Sequence, residues 1–212
     1  MKILDLYCKA GGASMGYYRA YANHVEIIGI DIKKQKRYPF QFIQADALEV
    51  LQDTDYLRQF DFIHASPPCQ THSATRHLRN AQGKTTDKVD LIPQTREGLQ
   101  KANKPYIIEN VVGAPLIDPV VLCGSSFGLA VRRHRLFESN QPLKGSICNH
   151  KAQGKPIGIY GSMRDEIPNG GHTAKTIEQA RAAMDIDWMI WSELVEAIPP
   201  AYTEYLGKQI KL

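Results

Sequence analysis

The sequence lacks the features that would commit it to a membrane, a disulfide framework or a repeat array. No run approaches the roughly 18 consecutive apolar residues that cross a bilayer. The opening Met1-Lys2-Ile3-Leu4-Asp5 has no signal-peptide layout. A soluble, reduced, cytoplasmic protein is therefore expected. There are only four cysteines, Cys8, Cys69, Cys123 and Cys148, and none forms a C-x-x-C pair. Neither a zinc ribbon nor a disulfide framework is indicated. Cys148 and His150 are close in sequence, but two candidate ligands do not make a metal site, and no metal is expected. Internal repeats and low-complexity tracts are missing too. Charge is nearly balanced, with 26 basic and 22 acidic residues for a net +4. That balance permits an acidic polymer as partner without demanding one.

What remains is a chain of 212 residues, 43% hydrophobic, enough for one good core and one catalytic-sized domain spanning 1–212. Short apolar runs predict strands at 3–7, 25–30, 40–43, 60–65, 105–112, 120–123 and 135–138. Helices are predicted over 17–22, from 48, over 91–102, over 177–184 behind Thr176, over 193–197 behind Ser192, and from Pro199-Pro200 to about 210. Strands alternating with helices mean an α/β fold, a mostly parallel sheet with helices on both faces. Residues 70–88 read as a long polar, basic loop, a length that is usually functional or disordered. Residues 139–171 are rich in Gly, Pro, Asn and Lys.

Chemistry concentrates at strand ends. The stretch Asp61-Phe62-Ile63-His64-Ala65-Ser66-Pro67-Pro68-Cys69-Gln70 begins as a buried strand and stops at two prolines. Proline cannot continue a central strand, so Cys69 falls just past a strand's carboxyl end, where open α/β sheets bind ligands. Taken alone, Cys69 fits a packed thiol better than a nucleophile. At the amino-terminal strand, Cys8-Lys9-Ala10-Gly11-Gly12 makes a small-residue turn into a helix, the arrangement that lets backbone approach a nucleotide-shaped ligand. Asp31 closes the second strand 20 residues beyond Gly11 and is placed to bond ribose hydroxyls. Asp46 closes the third and is placed for an adenine amino group. Each alone is as readily a solvated strand-end acid. Lys9 stands where a full G-x-G-x-x-G would begin, so a ligand without phosphates suits the turn better than a pyrophosphate.

With these residues together, the chain resembles the DNA cytosine-5 methyltransferases along nearly its whole length. Asp5-Leu6-Tyr7-Cys8-Lys9-Ala10-Gly11-Gly12 is similar to the family's first motif, and Asp31 and Asp46 to the second and third. Ser66-Pro67-Pro68-Cys69-Gln70 matches the fourth, Glu109-Asn110-Val111 the sixth, and Arg133-His134-Arg135 the arginines of the eighth. Thr176 to Arg181 and Ile198 to Gly207 stand in the places of the ninth and tenth. The resemblance implies a Rossmann-like fold and S-adenosylmethionine as cofactor, held by Asp5, Tyr7, Cys8, Lys9, Ala10, Gly11, Gly12, Asp31, Ile32, Asp46, Ala47 and Pro67. It implies Cys69 as a nucleophile adding to carbon 6 of cytosine, Glu109 on ring nitrogen 3, Arg135 on the carbonyl oxygen, and Arg133 on a phosphate or the Cys69 loop. Asn110 is expected to tie that loop to its strand. The partner implied is DNA with a flipped cytosine. Gln70, Ser73, Arg76, Arg79 and Lys84 would meet it through the basic loop. A bacterial or phage setting, of the restriction–modification kind, is expected.

The chain departs from the pattern in four places. The family carries a large target-recognition region between its eighth and ninth motifs, yet only 40 residues separate Arg135 from Thr176. The 139–171 segment is a short insert in its place, too small for an independent domain. Sequence selectivity is then low, very short, or supplied by a specificity partner or a homodimer. Val131 replaces the usual glutamine, Glu196 falls near the usual asparagine of the tenth motif, and Lys9 replaces a glycine of the cofactor turn, where it could pair with a carboxylate of the donor. RNA as the methylated polymer is a second reading, and a non-catalytic nucleic-acid-binding protein retaining the fold is a third.

Overall fold

The computed structural model describes residues 1–68, 89–161 and 172–211. Cys69, Gln70, Ser73, Arg76, Arg79 and Lys84 lie outside the described residues. Strands β1 (Lys2–Leu6), β2 (Glu26–Asp31), β3 (Gln41–Gln44), β4 (Phe62–Ala65), β5 (Tyr106–Asn110), β6 (Val120–Leu122) and β7 (Arg135–Ser139) form one sheet in the order β3-β2-β1-β4-β5-β7-β6. Pairings from β3 through β5 are parallel, whereas β7 runs antiparallel to both β5 and β6. The order reverses between β1 and β4, the point at which doubly wound sheets open a crevice at their carboxyl ends.

Alternation along each strand sends neighbouring side chains to opposite faces, and both faces are covered, as parallel sheets require. Leu4, Leu6, Ile28, Ile30, Ile63 and Ile108 pack with Leu51, Leu57 and Leu99. These come from helices α3 (Thr54–Arg58) and α4 (Ile92–Ala102) and from the end of α2 (Ala47–Val50). On the other face Ile3, Ile27, Phe62 and Ile107 pack with Tyr17, Tyr202 and Leu206. Tyr17 lies on α1 (Gly12–Tyr21). Tyr202 and Leu206 lie on a carboxyl-side helix, Pro200–Gly207. The two helices touch almost backbone to backbone: a Cβ on Gly16 would lie 2.0 Å from Thr203 Oγ1 and 2.2 Å from the Pro200 carbonyl oxygen. The Thr203 hydroxyl donates to the Ala13 carbonyl at 2.8 Å.

Beyond β7 the chain forms α5 (His150–Gln153), a two-stranded parallel ladder of β8 (Ile157–Gly158) and β9 (His172–Thr173), then α6 (Ile177–Met184), α7 (Trp191–Glu196) and the Pro200–Gly207 helix, α8. Ala180, Met184, Met189 and Leu194 close a third cluster with Ile159 and Val131. Thr176 caps α6 as expected, its hydroxyl accepting the Gln179 N–H at 3.1 Å. Ser192 does not cap its helix, which begins one residue earlier at Trp191. Helix α3 was not anticipated. Its five residues are too short to show a period, although Asp53 caps it by accepting the Tyr56 N–H at 2.9 Å. Helix α8 ends at Gly207, short of the expected 210.

Candidate active site

The glycine turn owes its shape to three residues in the left-handed region: Tyr7 at φ 59°, Lys9 at 47° and Gly11 at 84°. Two of these are not glycine, and such strain is typical of functional turns. Lys9 thus adopts a conformation that glycine reaches without strain. A Cβ on Gly11 would meet Pro39 at 2.8 Å and the Tyr38 ring at 3.0 Å, so only glycine fits there. The turn is clipped from outside by residues distant in sequence. Trp188 Nε1 donates to the Ala10 carbonyl at 2.8 Å, and the Ile198 carbonyl lies over Gly12.

Around this turn stand two buried acids. Asp31 accepts the Lys9 N–H on Oδ2 at 3.2 Å and the Lys33 N–H on Oδ1 at 2.9 Å. Asp5 is fully buried; Oδ2 accepts the Ser14 hydroxyl, while Oδ1 has no hydrogen-bond partner among the described residues. Burial, reinforced by Asp31 and Glu109 against the Ser14 hydrogen bond, pushes the Asp5 carboxyl up to about 7. Ile32, next to Asp31, leaves 63% of its surface exposed. Asp46 caps α2 by accepting the Leu48 N–H at 2.8 Å, with Ala47 buried behind it. Tyr7 points its hydroxyl at Thr95 on α4, 2.9 Å away, and contributes backbone rather than side chain to the turn. Lys9 Nζ lies 3.3 Å from Glu196, so two of the four departures from the pattern form an ion pair with each other. Cys8 is buried, and burial followed by Asp5 and Asp31 drives its thiol well up, so it is no competitor as a nucleophile.

The reversal of β7 brings the remaining groups together. Because β7 is antiparallel to β5, its first residue, Arg135, lies at the carboxyl end of β5, where Glu109 and Asn110 sit. Arg135 Nε is 3.1 Å from Glu109 Oε1. Glu109 is 7% exposed, and burial raises its carboxyl above the usual range even though Arg135, Ser66 and Arg133 pull it down. Asn110 Nδ2 donates to the Pro67 carbonyl at 3.0 Å, the expected tie between this strand and the Pro-Pro segment.

Behind Glu109 runs a relay that the sequence did not reveal. Tyr17 Oη is 2.9 Å from His64 Nδ1, and His64 Nε2 is 2.9 Å from Ser66 Oγ. Ser66 in turn bonds Glu109. Burial pulls His64 down to about 3, so its ring is neutral. An ionised Glu109 only accepts, which makes Ser66 its donor. Ser66 Oγ then accepts from His64 Nε2–H, and His64 Nδ1 accepts from Tyr17 O–H. We assign the tautomer on that network. The visible signal was a histidine inside the apolar run Phe62-Ile63-His64-Ala65.

Arg133 turns inward, away from solvent. It is 3% exposed, and its guanidinium donates to the carbonyls of Leu194 at 2.9 Å, Ile159 at 2.8 Å and Ala197. Three of its five N–H groups are thus committed to backbone, and they fasten the α7 region and Ile159 to β7.

Residues 1–115 match the profile of the C-5 cytosine-specific DNA methylases, more than half of the chain. The chain belongs to this family. It is 30% identical over 126 residues to the type II methyltransferase M.AgeI of Thalassovita gelatinovora, a match covering 53% of this chain and 28% of that protein. The chain thus spans less than a third of that relative's length. Among solved structures, a candidate DNA modification methyltransferase from an E. coli prophage superposes with a TM-score of 0.64 at 12% identity, covering 98% of this chain and 97% of the other. The Dnmt2 methyltransferase of S. pombe superposes with a TM-score of 0.62 at 14% identity, covering 99% and 98%. At those identities the likeness is one of fold, the Rossmann-like architecture of methyltransferases.

Proposed function

We propose that the chain transfers a methyl group from S-adenosylmethionine to carbon 5 of cytosine in DNA, through a transient bond between Cys69 and carbon 6. The observation that carries this reading is the Glu109–Arg135 pair, with Asn110 tied to Pro67, at the sheet end that also holds the glycine turn. The cofactor fits the residues present. Asp31 keeps free lone pairs beyond its two N–H bonds, enough for two ribose hydroxyls. Ile32 offers an exposed apolar surface to a base, and Asp5 Oδ1, without a hydrogen-bond partner among the described residues, is left to accept from a ligand. When bound, S-adenosylmethionine supplies an electrophilic methyl on a positively charged sulfur.

The chain's own residues do the rest. Cys69, as thiolate, adds to carbon 6 of a base taken out of the stack, which turns carbons 4 and 5 into a nucleophilic enamine. Glu109, whose carboxyl burial pushes above its usual range, shares a proton with nitrogen 3. Arg135 holds the carbonyl oxygen at position 2, itself steadied by Glu109. Loss of the carbon 5 proton to solvent and expulsion of the Cys69 thiolate restore the aromatic ring. Gln70, Ser73, Arg76, Arg79 and Lys84 meet the phosphate backbone, so binding weakens with salt. With only the 139–171 segment between the eighth and ninth motifs, selectivity is short-range or supplied by a specificity partner or second copy.

The test is trapping. In an oligonucleotide carrying 5-fluorocytosine, the fluorine cannot leave, so wild-type protein with cofactor should stay covalently attached, and Cys69→Ser should not. Matched DNA and RNA strands distinguish the polymers: an adduct with RNA alone replaces DNA by RNA in the proposal. No adduct with either, from folded protein that binds the cofactor, overturns it.

A further inference from the structure

Four ligand-type side chains far apart in sequence converge beside β7. Cys123 follows β6, His134 sits between the two motif arginines, and Cys148 and His150 come from the insert. Their ligand atoms all lie within 4.8 Å of one another. Cys123 Sγ is 3.3 Å from His150 Nε2, and Cys148 Sγ is 3.4 Å from His134 Nε2. A tetrahedral zinc with bonds of about 2.3 Å to sulfur and about 2.0–2.1 Å to nitrogen sets its ligand atoms roughly 3.3–3.8 Å apart. Both close cross-pairs fall in that range. We propose that Cys123, His134, Cys148 and His150 form a structural Cys2His2 zinc site that clamps the insert to the β6–β7 edge.

The donor set argues for zinc: two thiolates and two imidazoles suit a four-coordinate borderline-soft ion, and hard oxygen-seeking ions are disfavoured. Binding converts both thiols to thiolates and releases two protons to solvent. As a thiol, Cys123 donates to the Arg132 carbonyl at 3.1 Å, a contact that metal binding would give up; one neighbour suits the thiolate. Ser125 Oγ accepts the Asn149 N–H at 3.0 Å, which leaves its own hydrogen free for Cys123 Sγ, 3.2 Å away. Such outer contacts orient metal ligands.

The insert also needs a clamp. Helix α5 has no buried residue, Ile147 is 92% exposed, and Cys148 is exposed. A segment with so little core is the kind that metals staple. Leu143 and Ile159 anchor the two flanks of this stretch in the core, but around the four ligands the other ties are polar: Ser126 Oγ to the Ile147 carbonyl at 2.8 Å, and Arg132 to Gln153 at 3.0 Å and to the Gly154 carbonyl at 2.9 Å. One consequence rests on the methyltransferase reading: a metal on His134 would fix the backbone between Arg133 and Arg135, and with it the approach of Arg135 to Glu109.

The experiment needs no nucleic acid, so its outcome is separable from that of trapping. Reduced wild-type protein, loaded with zinc and freed of excess by gel filtration, should carry one zinc ion per chain. Cobalt substitution should give visible bands of tetrahedral cobalt with thiolate charge transfer. Cys148→Ser, at an exposed position, should lose stoichiometric metal, and Ser125→Ala should weaken binding roughly 10- to 100-fold. His150→Cys, which preserves four ligands, should keep the metal and strengthen the charge-transfer band, a result that misfolding cannot produce. Metal-free wild type after loading, full retention of zinc by Cys148→Ser, or a Cys123–Cys148 disulfide surviving reductant would each overturn the proposal.

Discussion

Arg135→Ala is expected to destabilise the protein in a manner that depends on pH. At an effective dielectric of about 20, unit charges at the 3.1 Å separation of Arg135 and Glu109 attract by roughly 5 kcal/mol. Desolvation of both groups offsets much of this, but removing one partner strands the other, at a typical cost of about 3–5 kcal/mol. At about 2–4 °C per kcal/mol for a chain of this length, Tm should fall by roughly 6–20 °C near pH 8. Glu109 already titrates above its ordinary 4.5 because of burial, with Arg135 the leading opposing influence. A carboxyl raised in the folded state binds more protons there than when unfolded, so its burden is absent below 4.5 and grows as pH rises. Deleting Arg135 raises it further. At pH 4.5 and below, the raised native carboxyl takes a proton, and the cost should shrink to that of lost packing, about 1 kcal/mol. Thermal denaturation at both pH values, with Arg135→Ala/Glu109→Gln completing a double-mutant cycle, measures this directly. Near pH 8 the double variant should be more stable than Arg135→Ala alone. Equal losses at both pH values, or a double variant no better than the single, would refute the reasoning.

Two further predictions follow from the glycine turn. Asp5 rises from 3.8 to about 7 in the folded state, so its ionisation costs up to about 4 kcal/mol, a burden absent below pH 3.8 and fully present above pH 7. Asp5→Asn should therefore raise Tm near pH 8 and change it little near pH 4; a uniform loss at both would contradict the assignment. Lys9→Gly removes a half-exposed ion pair with Glu196, worth under about 1 kcal/mol, and relieves a left-handed lysine, worth about 1 kcal/mol or more. Tm should hold or rise slightly, and a drop equivalent to about 2 kcal/mol would show that the pair matters more than its exposure implies.

The strands were legible because buried parallel strands are short, continuous apolar runs bounded by breakers, as Phe62-Ile63-His64-Ala65 before Ser66-Pro67-Pro68 illustrates. Glu109 and Arg135 were legible as strand-end charges, although only the reversal of β7 explains why they meet. What sequence could not reveal was long-range. Arg133 and Arg135 look alike in Arg133-His134-Arg135, yet one is spent on carbonyls of Ile159, Leu194 and Ala197. Tyr38 adjoins the basic run Lys33-Lys34-Gln35-Lys36-Arg37, a setting that suggests solvent, yet it is buried against Gly29 and bonds Ser14 at 2.6 Å. Cys123, His134, Cys148 and His150 have no signature spacing; the antiparallel β6–β7 edge gathers them. The role of Cys69 rests on the family motif and on the Asn110–Pro67 tie beside it.

The meeting of α1 with α8 has a kinetic meaning. The turn that begins at Cys8 is finished by Trp188, Ile198 and Thr203, nearly the whole length of the chain later. During synthesis from the amino terminus, β1 and α1 emerge early but lack the surface that shapes their glycine turn until residues near 203 leave the ribosome. Contacts of such large sequence separation form late and slow folding. The glycine turn is thus among the final pieces to assemble, and a nascent chain leaves it without its outer clips until the α8 segment docks.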